Sequence, residues 1–124
     1  MVLVYAERTK YMNIEFYKNS NGKEPVKDFI DNLSNDNKKL LSAKILTVSK
    51  LIQKNIISRE LFKKVSEDIW EIRFKNIRVF VFIKNYNMYL LHAIIKKRDD
   101  IPKRDLNLAI KRAKEIKDYI KWKA

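Results

Sequence analysis

Two arginines, Arg73 and Arg78, flank the dipeptide Lys75-Asn76, which reads as a tight turn between neighbouring strands. Strands joined so closely bring both guanidinium groups to one end of a sheet. Lys96, Lys97 and Arg98 close the next strand, and His92 sits within it with Ile94 and Lys96 on its own face by parity. Guanidinium, ammonium and one imidazole suit cleavage of an RNA phosphodiester without a metal. The 2′-hydroxyl attacks and needs a proton acceptor, the pentavalent phosphorus gathers negative charge, and the 5′-oxygen leaves with a proton. Arginine forks match the non-bridging oxygens. A lysine among other cations has a lowered pKa and could act as base, as could His92.

Each of these residues also has a plainer reading. Glu71 shares a strand face with Arg73, and the two could simply form a structural pair. His92 in an apolar strand could be a satisfied core residue. Lys96-Lys97-Arg98 could be a solvated strand end. Trp70, Phe74, Phe80 and Phe82 read as core before they read as base-stacking surfaces. No Gly-rich phosphate loop, HExxH or ordered Ser-His-Asp set occurs. With no cysteine and a single histidine, neither a thiolate nor a histidine-based metal site is expected, and no cofactor is implied.

The elements that must position these groups follow from periodicity. Asn13 to Lys18 alternates as a strand, and Asn19-Ser-Asn-Gly22 is turn chemistry. Glu24-Pro25 opens a short helix to about Leu33, with Val26, Phe29, Ile30 and Leu33 at helical spacing. Ser34-Asn35-Asp36 caps a longer one, whose stripe is Leu41, Ile45, Val48 and Ile52 and whose end falls near Asn55. From Leu61 the period becomes two: strands over 61–65, 69–74, 78–84 and 88–96 form an antiparallel meander. Trp70, Ile72 and Phe74 share one face, and Ile69, Glu71 and Arg73 the other. Asp99-Asp100-Ile101-Pro102 starts a final helix with Leu106, Ala109, Ile110, Ala113, Ile116 and Ile120 as its buried stripe. The pattern predicts one α+β domain over residues 1–124, with the helices gathered on one side of the sheet and residues 1–11 as a flexible extension before the regular pattern.

Composition points to partners. The 124 residues carry 28 Lys and Arg against 15 Asp and Glu, a net charge of +13. A polyanion gains by releasing counterions at such a surface, so nucleic acid is the first partner class and an acidic protein the second. An anionic membrane surface is third. A Lys-, Asn- and Ile-rich coding bias would also raise the charge. No apolar run approaches the roughly 20 residues that span a bilayer, and Met1-Val-Leu-Val-Tyr-Ala6 is too short and poorly flanked for a signal peptide. A cytoplasmic protein without membrane contact is expected.

Taken in order, Leu61-Phe-Lys-Lys-Val65, Ile69-Trp-Glu-Ile-Arg-Phe74, Arg78-Val-Phe-Val-Phe82, Leu91-His92, Ile95-Lys-Lys97, Ile101-Pro-Lys-Arg104 and Ala109-Ile-Lys-Arg112 resemble the phage-related HigB-like branch of the RelE/ParE toxin superfamily. The resemblance runs from about Asn13 to Glu115 and includes the helix start Glu24-Pro-Val-Lys-Asp-Phe29. It implies a RelE-like, microbial-ribonuclease-type fold: a sheet of four to five strands with a mixed edge, two N-terminal helices and a C-terminal helix. It implies the toxin of a type II toxin-antitoxin system, a metal-independent endoribonuclease that cuts translated mRNA on the ribosome. The implied partner is a HigA-like helix-turn-helix antitoxin, through which alone the toxin meets operator DNA. By motif, Arg73, Arg78, Lys96, His92 and Glu71 are the catalytic candidates, and Lys97, Arg98, Lys75 and Lys64 the RNA-binding ones. The segment between Phe74 and Arg78 departs from the family, which often carries more Gly and Arg there. The same superfamily contains ParE-like inhibitors of DNA gyrase that cleave nothing, so that reading stays open, as does a plain nucleic-acid-binding module.

Overall fold

The computed structural model describes residues 12–97 and 99–123. The expected N-terminal extension (1–11) and the RNA-binding candidate Arg98 fall outside the described residues. The chain runs β1 (Asn13–Phe16), α1 (Pro25–Asp31), α2 (Asn35–Gln53), β2 (Phe62–Ser66), β3 (Ile69–Phe74), β4 (Ile77–Lys84), β5 (Asn87–Ile95) and α3 (Lys103–Lys123). One five-stranded sheet has the order β1-β5-β4-β3-β2. The four later strands form the antiparallel meander, while β1 pairs parallel with β5 and makes the mixed edge.

Local chemistry sets the element ends. Pro25 occupies the first turn of α1, where its missing N–H costs nothing. The Ser34 hydroxyl accepts from the Asn37 N–H at 3.2 Å and caps α2. Lys75, with φ 53°, turns β3 into β4 in the left-handed region.

The expectation that the helices gather on one side of the sheet is corrected. Val26 and Ile30 of α1 and Leu41, Ile45 and Val48 of α2 pack on one face with Ile72, Val79, Val81, Met88 and Leu90. Ala109 and Ala113 of α3 pack on the other with Ile69, Phe80, Phe82 and Leu91. The reason lies in β4: Val79, Phe80, Val81 and Phe82 are all buried, and a strand apolar on both faces must be covered on both. Ile110, expected in the buried stripe of α3, is 40% exposed instead. The small residues Ala109 and Ala113 make the close approach, and Ile110 lies off their line.

A polar clasp holds α3 to the sheet. The Tyr17 hydroxyl donates to Glu115 Oε2, and Arg112 lies over the Tyr17 ring while donating to the Leu91 carbonyl at 2.8 Å. Burial first, and the Glu115 carboxylate second, push the Tyr17 phenol above its ordinary value. Among the described residues no helix is long and apolar enough to cross a membrane.

Candidate functional site

The two-residue turn fixes the register of β3 against β4: Phe74 lies opposite Ile77, and Arg73 opposite Arg78. Directly opposed residues share a sheet face, so the two guanidinium groups meet on the α3 side. Like charges so placed repel, and Glu71, two residues back on the same face, compensates. Its side chain is fully buried. Glu71 Oε1 accepts from Arg73 Nε at 3.0 Å and lies 3.4 Å from Arg78 Nε. That second contact is an ion pair without hydrogen-bond geometry, and Arg78 Nε and Glu71 Oε2 are buried with no hydrogen-bond partner among the described residues. Unpaired polar atoms are rare inside proteins, and here two lie in one cluster.

Backbone carbonyls complete the cradle. Arg78 Nη1 donates to the carbonyls of Lys75 at 2.8 Å and Ile77 at 2.9 Å. Arg73 Nη1 reaches the Arg59 carbonyl at 3.4 Å. Arg73 is 32% exposed and Arg78 14%, so Arg73 is the more open to a ligand while Arg78 braces the turn. The two guanidiniums exceed the single carboxylate by one positive charge. That charge is held in a fixed geometry, of the kind that suits an anion.

Lys96 joins this end of the sheet, because its N–H donates to the Asn76 carbonyl in the same turn at 2.5 Å. Lys97 follows it, exposed. The structure thus brings Arg73, Arg78, Lys96 and Lys97 to one end of the sheet. It does not bring Lys75 or Lys64 to the arginine face. Lys75 Nζ donates to Asn37 Oδ1 at 2.7 Å and lies 5.3 Å from the Phe74 ring, on the α2 face. Lys64 pairs opposite Trp70, with its Nζ 6.0 Å from that ring's centroid. Lys63, directly opposite Glu71, holds the matching place on the arginine face. Sequence reasoning passed over it, although the period of β2 marks it as the residue two places before Val65. Lys63, Lys64 and Lys96 line a shallow cleft of about 380 Å³ with Ile101 and Leu106, and Asp99 and Asp100 belong to the same rim.

His92 stands in a separate part of the same face. Glu71, Phe80 and His92 are consecutive partners across β3, β4 and β5, so Phe80 separates the histidine from the arginine clasp. The imidazole stacks on Phe80, centroids 6.1 Å apart and planes 15° from parallel. His92 Nε2 lies 2.8 Å from Asp105 Oδ1, and both side chains are mostly buried. A carboxylate at Nε2 accepts from the ring, which leaves Nδ1 as the second position for proton exchange. The sequence reading passes over Asp105, because it takes Asp99 and Asp100 as the acids at the start of the helix.

The chemistry available is therefore phosphate binding by Arg73 and Arg78, electrostatic support from Lys63 and Lys96, and proton exchange at a carboxylate-backed histidine. Glu71 is fully buried, and its carboxylate faces the two arginines. No curated protein matches the chain. The family model for the phage derived protein Gp49-like (DUF891) matches residues 28–114, a span that holds α2, the whole meander, the arginine clasp, His92 and Asp105. With that span well over half its length, the chain belongs to the Gp49-like family, a toxin family of the RelE/ParE type.

Proposed function

We propose that this chain is a toxin of a type II toxin-antitoxin system that cuts messenger RNA during translation in the cytoplasm and is silenced by a helix-turn-helix antitoxin of the HigA kind. The observation that carries the reading is the Arg73–Arg78 pair, opposed across a tight turn and clamped by buried Glu71.

In this reading the scissile phosphate docks against Arg73, with Arg78 behind it. The 2′-oxygen attacks phosphorus and its proton passes to a base, Lys96 or His92. As the phosphorane forms, negative charge grows on the non-bridging oxygens, where a preorganised guanidinium stabilises it more than it stabilises the ground state. The P–O5′ bond then breaks, the 5′-oxygen takes a proton, and a 2′,3′-cyclic phosphate remains. No step requires a metal. Ribosome dependence is part of the proposal: alignment of the RNA would come from the ribosome.

The test is primer extension on a defined mRNA with purified protein, with and without programmed ribosomes. Cleavage at codon-related positions only with ribosomes is expected. An uncut message from a folded, toxic protein, together with induction of DNA damage in cells, would instead place the chain with the gyrase inhibitors. Arg73→Ala is expected to abolish cleavage and growth arrest while leaving the circular dichroism spectrum unchanged.

A further inference from the structure

The family match ends at residue 114, whereas α3 continues to Lys123. That continuation carries Tyr119 and Trp122, which are 56% and 80% exposed. Their ring centroids lie 6.2 Å apart, tilted by 35°, and Lys123 Nζ stands 5.9 Å from the Tyr119 ring. Core packing does not account for them, since the helix buries Ala109 and Ala113 and half-buries Ile116 and Ile120. Adjacent exposed Trp and Tyr rings are a candidate contact surface, since both side chains are enriched where proteins meet ligands and partners.

The rest of the outer face is cationic. Positions 104, 111 and 122 fall within about 20° of one another at 3.6 residues per turn, so Arg104, Lys111 and Trp122 lie near one line about 27 Å long. Lys114 and Lys121 flank it, both exposed. Two acids, Asp118 and Glu115, also lie on this face, both exposed, and Glu115 accepts from Tyr17. Arg112 and Lys117, by contrast, are tied inward to the Leu91 carbonyl and Asp68.

We propose that the outer face of α3 binds single-stranded RNA, with bases stacking on Trp122 and Tyr119 and phosphates following Lys114, Lys111 and Arg104. The choice of RNA over DNA rests on the function proposed above; the stacking and the charge do not. A protein partner fits less well, because interface centres are depleted of lysine, and here Lys121 and Lys123 adjoin Trp122 in sequence, with Lys123 Nζ 5.9 Å from the Tyr119 ring. A bilayer fits less well too, because the broad apolar face of this helix is already turned to the sheet. Stacking requires unpaired bases, which selects single strands.

The test uses the full chain and a short unstructured RNA oligonucleotide, 2′-O-methylated so that it cannot be cleaved. Dissociation constants come from fluorescence anisotropy, and tryptophan emission is followed in parallel. Trp122→Ala is expected to weaken binding about 5- to 150-fold, the range for losing one stacked base, while Trp122→Phe retains most of it. RNA should quench the wild-type emission, and Trp122→Phe should remove the quenching, since Trp70 is packed against Phe62. Duplex RNA should bind without sensitivity to Trp122, and single-stranded DNA of the same sequence should bind with it. Equal affinity of wild type and Trp122→Ala for the oligonucleotide overturns the proposal and assigns the rings to a protein partner. The two readings fail separately: loss of affinity in Trp122→Ala with no mRNA cleavage by the wild type sinks the nuclease and keeps the stacking surface. Cleavage abolished by Arg73→Ala with unchanged affinity in Trp122→Ala does the reverse.

Discussion

Glu71 and Arg73 sit two residues apart, share an ion pair and have opposite relations to a ligand. The carboxylate is sealed in, so its removal would leave two guanidiniums facing each other with no counter-charge. Glu71→Ala should therefore cost about 3 kcal/mol of stability, the low end for breaking a buried pair because both arginines keep some contact with water. Arg73→Ala leaves a carboxylate still beside Arg78 and should cost less than about 1.5 kcal/mol while removing toxicity. Urea unfolding of the two variants checks the order; a larger loss for Arg73→Ala would mean that the arginine is the structural member. Asp105 invites a similar separation. Asp105→Asn keeps an acceptor near His92 Nε2 but removes the charge that would stabilise an imidazolium. If His92 exchanges a proton during cleavage, the rate should fall about a hundredfold at unchanged RNA affinity. Unaltered cleavage would return the pair to the role of anchoring α3.

At the scale of elements, α3 is fastened by the Tyr17–Glu115–Arg112 clasp, and that clasp responds to pH. The Tyr17 phenol is raised above its ordinary value of 10.0, chiefly by burial, and the Tyr89 phenol moves the same way for the same leading reason. The folded state thus holds these protons more tightly than the unfolded chain does. Stability from this source is complete below about pH 10 and falls as pH climbs through the raised folded values. Urea midpoints should drop as pH rises above about 10, and Tyr17→Phe should flatten part of that slope; a slope unchanged in the variant would remove Tyr17 from the account. Much of this frame is legible in the sequence. The alternation of Ile69 to Phe74 places Glu71 with Arg73, the Lys75-Asn76 turn makes the arginines neighbours, and Ser34 marks a helix start. The side of the sheet taken by α3 is less legible. A strand apolar on both faces, such as β4, announces two cores but does not say which helix covers which. The burial of Glu71 was hidden for a related reason: a charged residue in an alternating strand reads as solvent-facing until α3 covers that face. The choice between Lys63 and Lys64 turned on strand parity alone, and the cation-rich run Lys63-Lys64 carries no other signal.

For the whole molecule, the net charge of +13 is unevenly employed. Lys27 pairs with Asp31 and Lys117 with Asp68, while the outer side of α3 presents Arg104, Lys111 and Lys114, in excess over the exposed acids Glu115 and Asp118. The helix starts beside His92, and its last turns line a groove with Ile14 and Asn87, at the opposite end of β5 from Lys96. Its 21 residues span about 31 Å, so an RNA strand stacked at Trp122 has a cationic track leading back toward the arginine clasp. Such a track has a thermodynamic signature distinct from catalysis. Each phosphate neutralised on a single strand contributes about 0.7 to the slope of log affinity against log salt. Replacing Lys111 and Lys114 together by glutamine should lower that slope by about 1.4, leaving both the fold and the arginine clasp in place. Arg73→Ala should change it by about 0.7 at most, yet abolish cleavage. Titrations of a non-cleavable RNA over a range of salt concentrations measure both. A slope that falls with the lysine pair and barely moves with Arg73 would mean that holding the RNA and cutting it are carried by different faces of one small domain. A slope indifferent to the lysines would confine RNA contact to the sheet end and leave the charge of α3 to solubility or to an acidic partner.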